Sequence, residues 1–82
     1  MLVDDDVDIT SSVKVGLGDY SFTVSVYNDP QIALSEFNEN LYDLLLTDIR
    51  MPGMGGLELY EKMKKIDNKI RVCFITGFKN TI

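Results

Sequence analysis

Residues 41–56 have the sequence LYDLLLTDIRMPGMGG. The apolar run Leu44-Leu45-Leu46 lacks the alternation of a half-exposed strand, which indicates a strand buried on both faces, as in a parallel sheet. We predict this strand over Leu41–Thr47. Asp48 follows it directly, and the Pro and Gly residues beyond Asp48 mark a loop. The stretch therefore predicts a buried strand that carries a carboxylate at its carboxyl end.

Strand-like and helix-like runs alternate on both sides of this stretch. The helices are predicted from apolar residues at helical spacing, and the strands from short runs rich in β-branched and aromatic residues. In chain order, we predict a strand at Met1–Val3, a helix at Val7–Leu17, a strand at Phe22–Tyr27, a helix from Pro30 through Phe37, the strand at Leu41–Thr47, a helix at Leu57–Ile66 and a strand at Ile70–Thr76. Such alternation predicts an α/β fold, with a parallel sheet covered by helices on both faces.

Acidic residues follow two of the predicted strands. The run Asp4-Asp5-Asp6 comes after the first strand, and Asp48 comes after the third. If these strands are neighbours, the carboxylates converge at one edge, where open parallel sheets bind their ligands. Crowded carboxylates repel one another unless a cation or a proton intervenes, and hard oxygen donors suit Mg²⁺. Because Mg²⁺ commonly holds phosphate groups, the cluster points to phosphoryl chemistry.

The composition excludes several classes of function. With 82 residues the chain suffices for one small domain, and its net charge of -5 argues against a basic nucleic-acid interface. No apolar run approaches the ~20 residues of a membrane span, and the start of the chain does not have the pattern of a signal peptide. A single cysteine, Cys73, excludes an internal disulfide and fits a reducing cytoplasm; its apolar neighbours predict a buried strand position. The absence of histidine excludes histidine-based acid–base chemistry.

The chain resembles the receiver domain of two-component response regulators over nearly its whole length. The matching segments are Leu2-Val3-Asp4-Asp5-Asp6, the stretch from Leu44 to Met54, Gly56-Leu57-Glu58-Leu59 and Phe74-Ile75-Thr76-Gly77. The family has a flavodoxin-like parallel sheet with the strand order 2-1-3-4-5. For residues 1–82 the resemblance implies the first four strands, in the order 2-1-3-4.

The resemblance also implies a role for each site residue. Asp48 would accept a phosphoryl group from a sensor histidine kinase or phosphotransfer protein and become a phosphoaspartate. Asp5 and Asp48 would bind Mg²⁺ directly, and Asp4 would assist, often through water. Arg50 would offer its backbone carbonyl to the metal. Thr76 would offer its hydroxyl to the phosphoryl oxygens and couple phosphorylation to a loop shift.

The sequence departs from the family near its end. Receivers continue with a fifth strand, a Lys-Pro pair and a fifth helix, and Lys79 lies too early to supply that lysine. We therefore expect a truncated receiver. One alternative is a receiver remnant that acts as a non-catalytic oligomerisation or interaction module. Under either hypothesis we expect the chain to self-associate through the fourth strand, Val72–Ile75, which receivers normally cover with the fifth. Another alternative is a Mg²⁺-dependent phosphohydrolase, which is weaker because such enzymes have a second Asp where this chain has Arg50.

Overall fold

A computed structural model describes residues 1–18 and 23–75 of the chain. Strands and helices alternate through both ranges, as the sequence predicts. The elements are β1 at Leu2–Val3, α1 at Val7–Gly18, β2 at Val26–Tyr27, α2 at Pro30–Glu36, β3 at Leu44–Asp48, α3 at Gly56–Ile66 and β4 at Arg71–Ile75.

The four strands form one parallel sheet in the order β2-β1-β3-β4, which confirms the predicted fold and strand order. The central strand, β1, pairs with β2 on one side and with β3 on the other, so that Val3 lies beside both Tyr27 and Thr47. Because all strands point the same way, their carboxyl ends share one edge of the sheet. The residues that follow β1 and β3 are therefore neighbours in space.

The strand order also assigns the helices to faces. The chain steps from β1 to β2 in one direction and from β2 to β3 and β4 in the other, and right-handed crossovers then put α1 opposite α2 and α3. The face under α2 and α3 carries the hydrophobic core, which comprises Met1, Val3, Ala33, Phe37, Leu45, Met51, Met54, Leu59, Met63 and Ile70. On the other face α1 packs over β1 and β2.

Two burial predictions on the α1 side of the sheet are wrong. Leu44 is 40% exposed while its neighbour Leu45 is fully buried, so β3 is not buried on both faces along its length. Cys73, which lies beside Leu46 on β4, is also exposed. Since α1 packs over β1 and β2, the part of this face formed by β3 and β4 remains accessible in the described part of the chain.

The ends of several elements differ from the predictions. Helix α2 begins at Pro30, where the Asp29 carboxylate accepts the N–H of Gln31, and it ends at Glu36, one residue before the extended Phe37. Strand β3 begins three residues later than predicted, because Asn40 takes a positive φ of 65° and residues 38–41 form a turn. The second strand is predicted at Phe22–Tyr27, but β2 comprises only Val26–Tyr27, and residues 23–25 before it are not strand. Phe22 and Thr76 lie outside the described residues.

None of the helices within residues 1–18 and 23–75 combines the length and apolar character needed to cross a membrane.

Candidate functional site

Three carboxylates meet at the carboxyl edge of the sheet. Asp4 follows β1, and Asp48 ends β3, the neighbouring strand. One carboxylate oxygen from each of Asp4, Asp5 and Asp48 lies within 4.8 Å of the other two. The structure thus brings together the acidic residues that the sequence places at two separate strand ends.

The three side chains differ in their access to solvent. Asp4 is 1% exposed and Asp48 is 7% exposed, whereas Asp5 is exposed. Asp4 and Asp48 therefore form the buried part of the cluster, and Asp5 forms its solvent-exposed part.

The backbone of β1 and the start of α1 fix the position of Asp4. The Asp4 N–H donates to the carbonyl oxygen of Tyr27 at 3.1 Å, which continues the pairing of β1 with β2. The Asp4 carboxylate oxygen Oδ1 accepts the N–H of Asp6 at 2.9 Å. Asp6 in turn caps α1, since its Oδ1 accepts the N–H groups of Asp8 at 2.9 Å and Ile9 at 3.4 Å. Helix α1 thus begins at Val7, directly after its cap, as the sequence predicts.

Tyr27 also ties β2 to α2. Its hydroxyl donates to the Glu36 carboxylate at 2.7 Å. This hydrogen bond holds the proton on the phenol and raises the pKa of Tyr27 well above its usual value. The strand that accepts the Asp4 N–H is thus itself attached to a helix.

The loop after Asp48 is held by its methionines and glycines. Met51 and Met54 are 8% and 6% exposed and belong to the core, while Arg50 between Asp48 and Met51 is exposed. Gly53 takes a φ of +83°, a conformation that favours glycine. The loop closes where the N–H of Gly56 donates to the carbonyl oxygen of Ile49 at 2.8 Å. Thr76, the other predicted site residue, lies outside the described residues.

The donor set of this cluster fits Mg²⁺. All three groups are carboxylates, the hard oxygen ligands that Mg²⁺ prefers, and Mg²⁺ holds its ligands at about 2.1 Å, so two of them stand at most about 4.2 Å apart. The carboxylate oxygens lie within 4.8 Å of one another, close to that limit. Because Mg²⁺ usually keeps several waters, one carboxylate bound through a water accommodates the difference.

Two polar residues beside the cluster could not be predicted from the sequence. The Asn28 side-chain nitrogen Nδ2 donates to the Asp4 carbonyl oxygen at 2.7 Å and to the Thr10 hydroxyl at 3.1 Å. In the sequence Asn28 stands out only as part of a helix-start signal, and Thr10 only as a weak helix former. No pattern in a single sequence shows that the two side chains meet.

Comparisons with known proteins agree with this arrangement. The family model described as "Response regulator receiver domain" matches residues 1–82. The response regulator receiver protein CpdR of Brucella abortus is 35% identical over 78 residues, which are 95% of this chain and 65% of that protein. The C4-dicarboxylate transport transcriptional regulatory protein DctD of Rhizobium meliloti is 34% identical over 76 residues, which are 93% of this chain and 16% of that protein.

A solved structure shows the same fold. The crystal structure of adenylate cyclase from Rhodopirellula baltica superposes with a TM-score of 0.80 at 28% sequence identity, and the match covers 96% of this chain and 58% of that one. The chain thus spans less than two thirds of each of these three proteins. The family model covers every residue, and the acidic cluster lies at the expected edge of a sheet with the expected strand order. The chain therefore belongs to the receiver domain family of two-component response regulators.

Proposed function

We propose that residues 1–82 act as one phosphoacceptor domain in cytoplasmic signalling, and that Asp48 receives the phosphoryl group. The donor would be a phosphohistidine on a sensor histidine kinase or a phosphotransfer protein. The observation that carries the proposal is the convergence of Asp4, Asp5 and Asp48, whose carboxylate oxygens lie within 4.8 Å of one another.

The transfer requires one bond to form and one to break. An Asp48 carboxylate oxygen attacks phosphorus, and the P–N bond of the donor breaks, so that its electron pair returns to the imidazole ring. Asp48 is 7% exposed at the end of β3, so a small part of this residue is accessible for the proposed transfer. The position of Asp48 at the strand end would orient its carboxylate for attack, and a carboxylate needs no neighbouring base to remove a proton.

Negative charge is the main barrier to this reaction. Asp4 and Asp5 add two carboxylates beside the nucleophile, and the incoming phosphoryl group adds more negative charge. Mg²⁺, when bound by Asp5 and Asp48 with Asp4 assisting, would offset this repulsion between the nucleophile and the phosphoryl oxygens. The backbone carbonyl of Arg50, in the loop that follows β3, is a further candidate ligand by resemblance to the receiver family. Thr76 is proposed to contact the phosphoryl oxygens after transfer.

Labelling with a small phosphodonor tests the proposal. We expect acetyl phosphate to label the wild-type protein only when Mg²⁺ is present, and Asp48→Asn to abolish labelling. Asp43→Asn is the matched control, because Asp43 is an exposed aspartate that precedes the same strand at its opposite end. Full labelling of Asp48→Asn, or equal labelling with and without Mg²⁺, would contradict the proposal.

We further propose that the protein self-associates through β4, alone or together with phosphoacceptor activity. Three observations support this. Among the described residues, β4 pairs only with β3. Cys73 on β4 is exposed, and Leu44, on the strand beside β4, is 40% exposed. An accessible strand edge next to apolar surface favours pairing with a second strand. A second copy of the chain would cover both features.

A further inference from the structure

One side chain outside the carboxylate cluster is bonded to the backbone of the cluster. The Asn28 side-chain amide lies 2.7 Å from the carbonyl oxygen of Asp4 and 3.1 Å from the hydroxyl oxygen of Thr10. An amide nitrogen carries two hydrogens, so it can donate to both oxygens at once. Asn28 thereby connects the end of β2 to the end of β1 and to the first turn of α1.

The acceptor, the Asp4 carbonyl oxygen just after β1, belongs to the peptide that joins Asp4 to Asp5. That peptide is planar, so its orientation sets the directions in which the two carboxylates leave the backbone. The preceding peptide is held as well, because the Asp4 N–H donates to the Tyr27 carbonyl oxygen at 3.1 Å. Strand β1 has only two residues, and it therefore has few ladder hydrogen bonds of its own to hold this turn.

Thr10 anchors the amide of Asn28 to α1. Thr10 is 1% exposed, and its hydroxyl donates to the Val7 carbonyl oxygen at 3.0 Å while it accepts from Asn28 at 3.1 Å. A buried hydroxyl with both of these partners has a fixed direction. The amide is thus held relative to the helix that begins at the Asp6 cap.

We infer that Asn28 is a positioning residue for the carboxylate site, and that it acts by fixing the Asp4–Asp5 peptide. The inference rests on the proposed function, since it assumes that Mg²⁺ binds these carboxylates. Groups that orient metal ligands typically change metal affinity roughly 10- to 100-fold when they are removed. Without the Asn28 amide the peptide is freer to rotate, and the carboxylates of Asp4 and Asp5 lose their common direction.

The test measures Mg²⁺ affinity and stability separately. The Mg²⁺ dissociation constant of the folded protein is taken from a titration that follows the amide resonances of Asp5 and Asp48 by NMR, and the stability from urea unfolding without metal. We expect Asn28→Ala to raise the dissociation constant roughly tenfold. Thr10→Val should raise the dissociation constant by a smaller factor. Thr10→Ser keeps the hydroxyl and should have the dissociation constant of wild type. Asn68→Ala, at an exposed asparagine between α3 and β4, is the matched control and should leave it unchanged.

The outcomes separate the inference from the proposed function. If Asn28→Ala lowers the stability but leaves the dissociation constant unchanged, Asn28 is only a structural residue and the inference is overturned. If the wild-type protein binds no Mg²⁺, the proposed function fails, and the purpose assigned to Asn28 fails with it. If Asn28→Ala does not fold, the two Thr10 variants decide. Weaker Mg²⁺ binding in Thr10→Val than in Thr10→Ser supports the inference, and equal Mg²⁺ binding in both overturns it.

Discussion

The α-carbon of Gly56 packs directly against the backbone carbonyl of Asp48. A Cβ atom built on Gly56 would collide with the carbonyl oxygen of Asp48 and would stand 3.0 Å from its carbonyl carbon. It would also stand 3.0 Å from the Thr47 methyl group. The lack of a side chain at Gly56, the first residue of α3, therefore permits close packing against the backbone of the proposed phosphoacceptor.

Gly56→Ala should destabilise the protein and disturb the site. The added methyl group meets backbone atoms, which cannot rotate away, so we expect a loss of about 2 kcal/mol or more in the free energy of unfolding. For a domain of this size, that lowers the melting temperature by roughly 10 °C. Thermal unfolding followed by circular dichroism measures the change.

Gly16→Ala is the matched control for this substitution. Gly16 lies in α1, and a Cβ built on it meets no atom within 4 Å. Alanine favours a helix over glycine by roughly 0.5–1 kcal/mol, so this variant should melt slightly higher than wild type. Equal melting temperatures for the two variants would show that the close approach of Gly56 to Asp48 has no energetic consequence.

Mg²⁺ should stabilise the wild-type fold through Asp5. A ligand that binds only the folded state adds about 1.4 kcal/mol to the free energy of unfolding at ten times its dissociation constant. Melting with and without millimolar Mg²⁺ should show this rise in wild type and lose it in Asp5→Asn. Asp8→Asn, at an exposed aspartate on the same side of the site, should keep the rise. An equal rise in all three proteins would mean that Mg²⁺ acts elsewhere.

Asp67 should make the stability depend on pH. Its carboxylate accepts the backbone N–H groups of Asn40 at 2.9 Å and Lys69 at 3.0 Å, which lowers the pKa of Asp67 below its ordinary value of 3.8. Because the folded pKa is below the unfolded one, the stabilisation is present above the unfolded value and is lost as the pH falls through the folded value. Asp67→Asn should therefore be less stable than wild type near neutral pH, and the difference should shrink in acid.

Urea unfolding at several pH values checks this prediction. Glu61→Gln, at an exposed carboxylate on α3, is the control and should follow wild type throughout. A difference between Asp67→Asn and wild type that stays constant with pH would show that the two backbone hydrogen bonds do not depend on the charge of Asp67.

Cys73→Lys should weaken self-association without unfolding the chain. Cys73 is exposed on β4, and a lysine on a strand edge discourages pairing with another strand. Sedimentation at micromolar concentration should show dimers for wild type and for the control Cys73→Ser, and monomers for Cys73→Lys. Circular dichroism of each variant confirms that the fold is kept. A compact wild-type monomer at this concentration would rule out self-association through β4.

Much of the fold could be predicted from the sequence because its patterns are local. The runs at Leu2-Val3, Leu44–Thr47 and Val72–Ile75 are dense enough in apolar residues to identify strands, and the Asn28-Asp29-Pro30 sequence correctly locates the start of α2. The strand order was not visible in these patterns. The predicted strand order came from the resemblance to the receiver family. The structure confirmed the strand order, and the comparisons confirmed the family.

Features that depend on distant residues were not predictable. The exposure of Leu44 and Cys73 follows from where α1 packs, which no local pattern shows. The two hydrogen bonds that Asn28 donates, to Asp4 and to Thr10, join residues far apart in the chain. Likewise, the later start of β3 reflects the turn at Asn40, which Asp67 stabilises from the opposite part of the sequence.

The position of β1 has a consequence for the order of folding. Leu2 and Val3 are fully buried between β2 and β3, so a strand that is synthesised early must wait for partners that are synthesised later. Translation adds roughly 5–20 residues per second, whereas a short loop closes in about a microsecond or less, so chain elongation limits when β1 meets β3. Until Asp48 has left the ribosome and β3 has paired, Asp4 and Asp5 have no third carboxylate beside them. Any cation that requires all three can therefore bind only after β3 has paired with β1, and it stabilises this pairing rather than nucleating it.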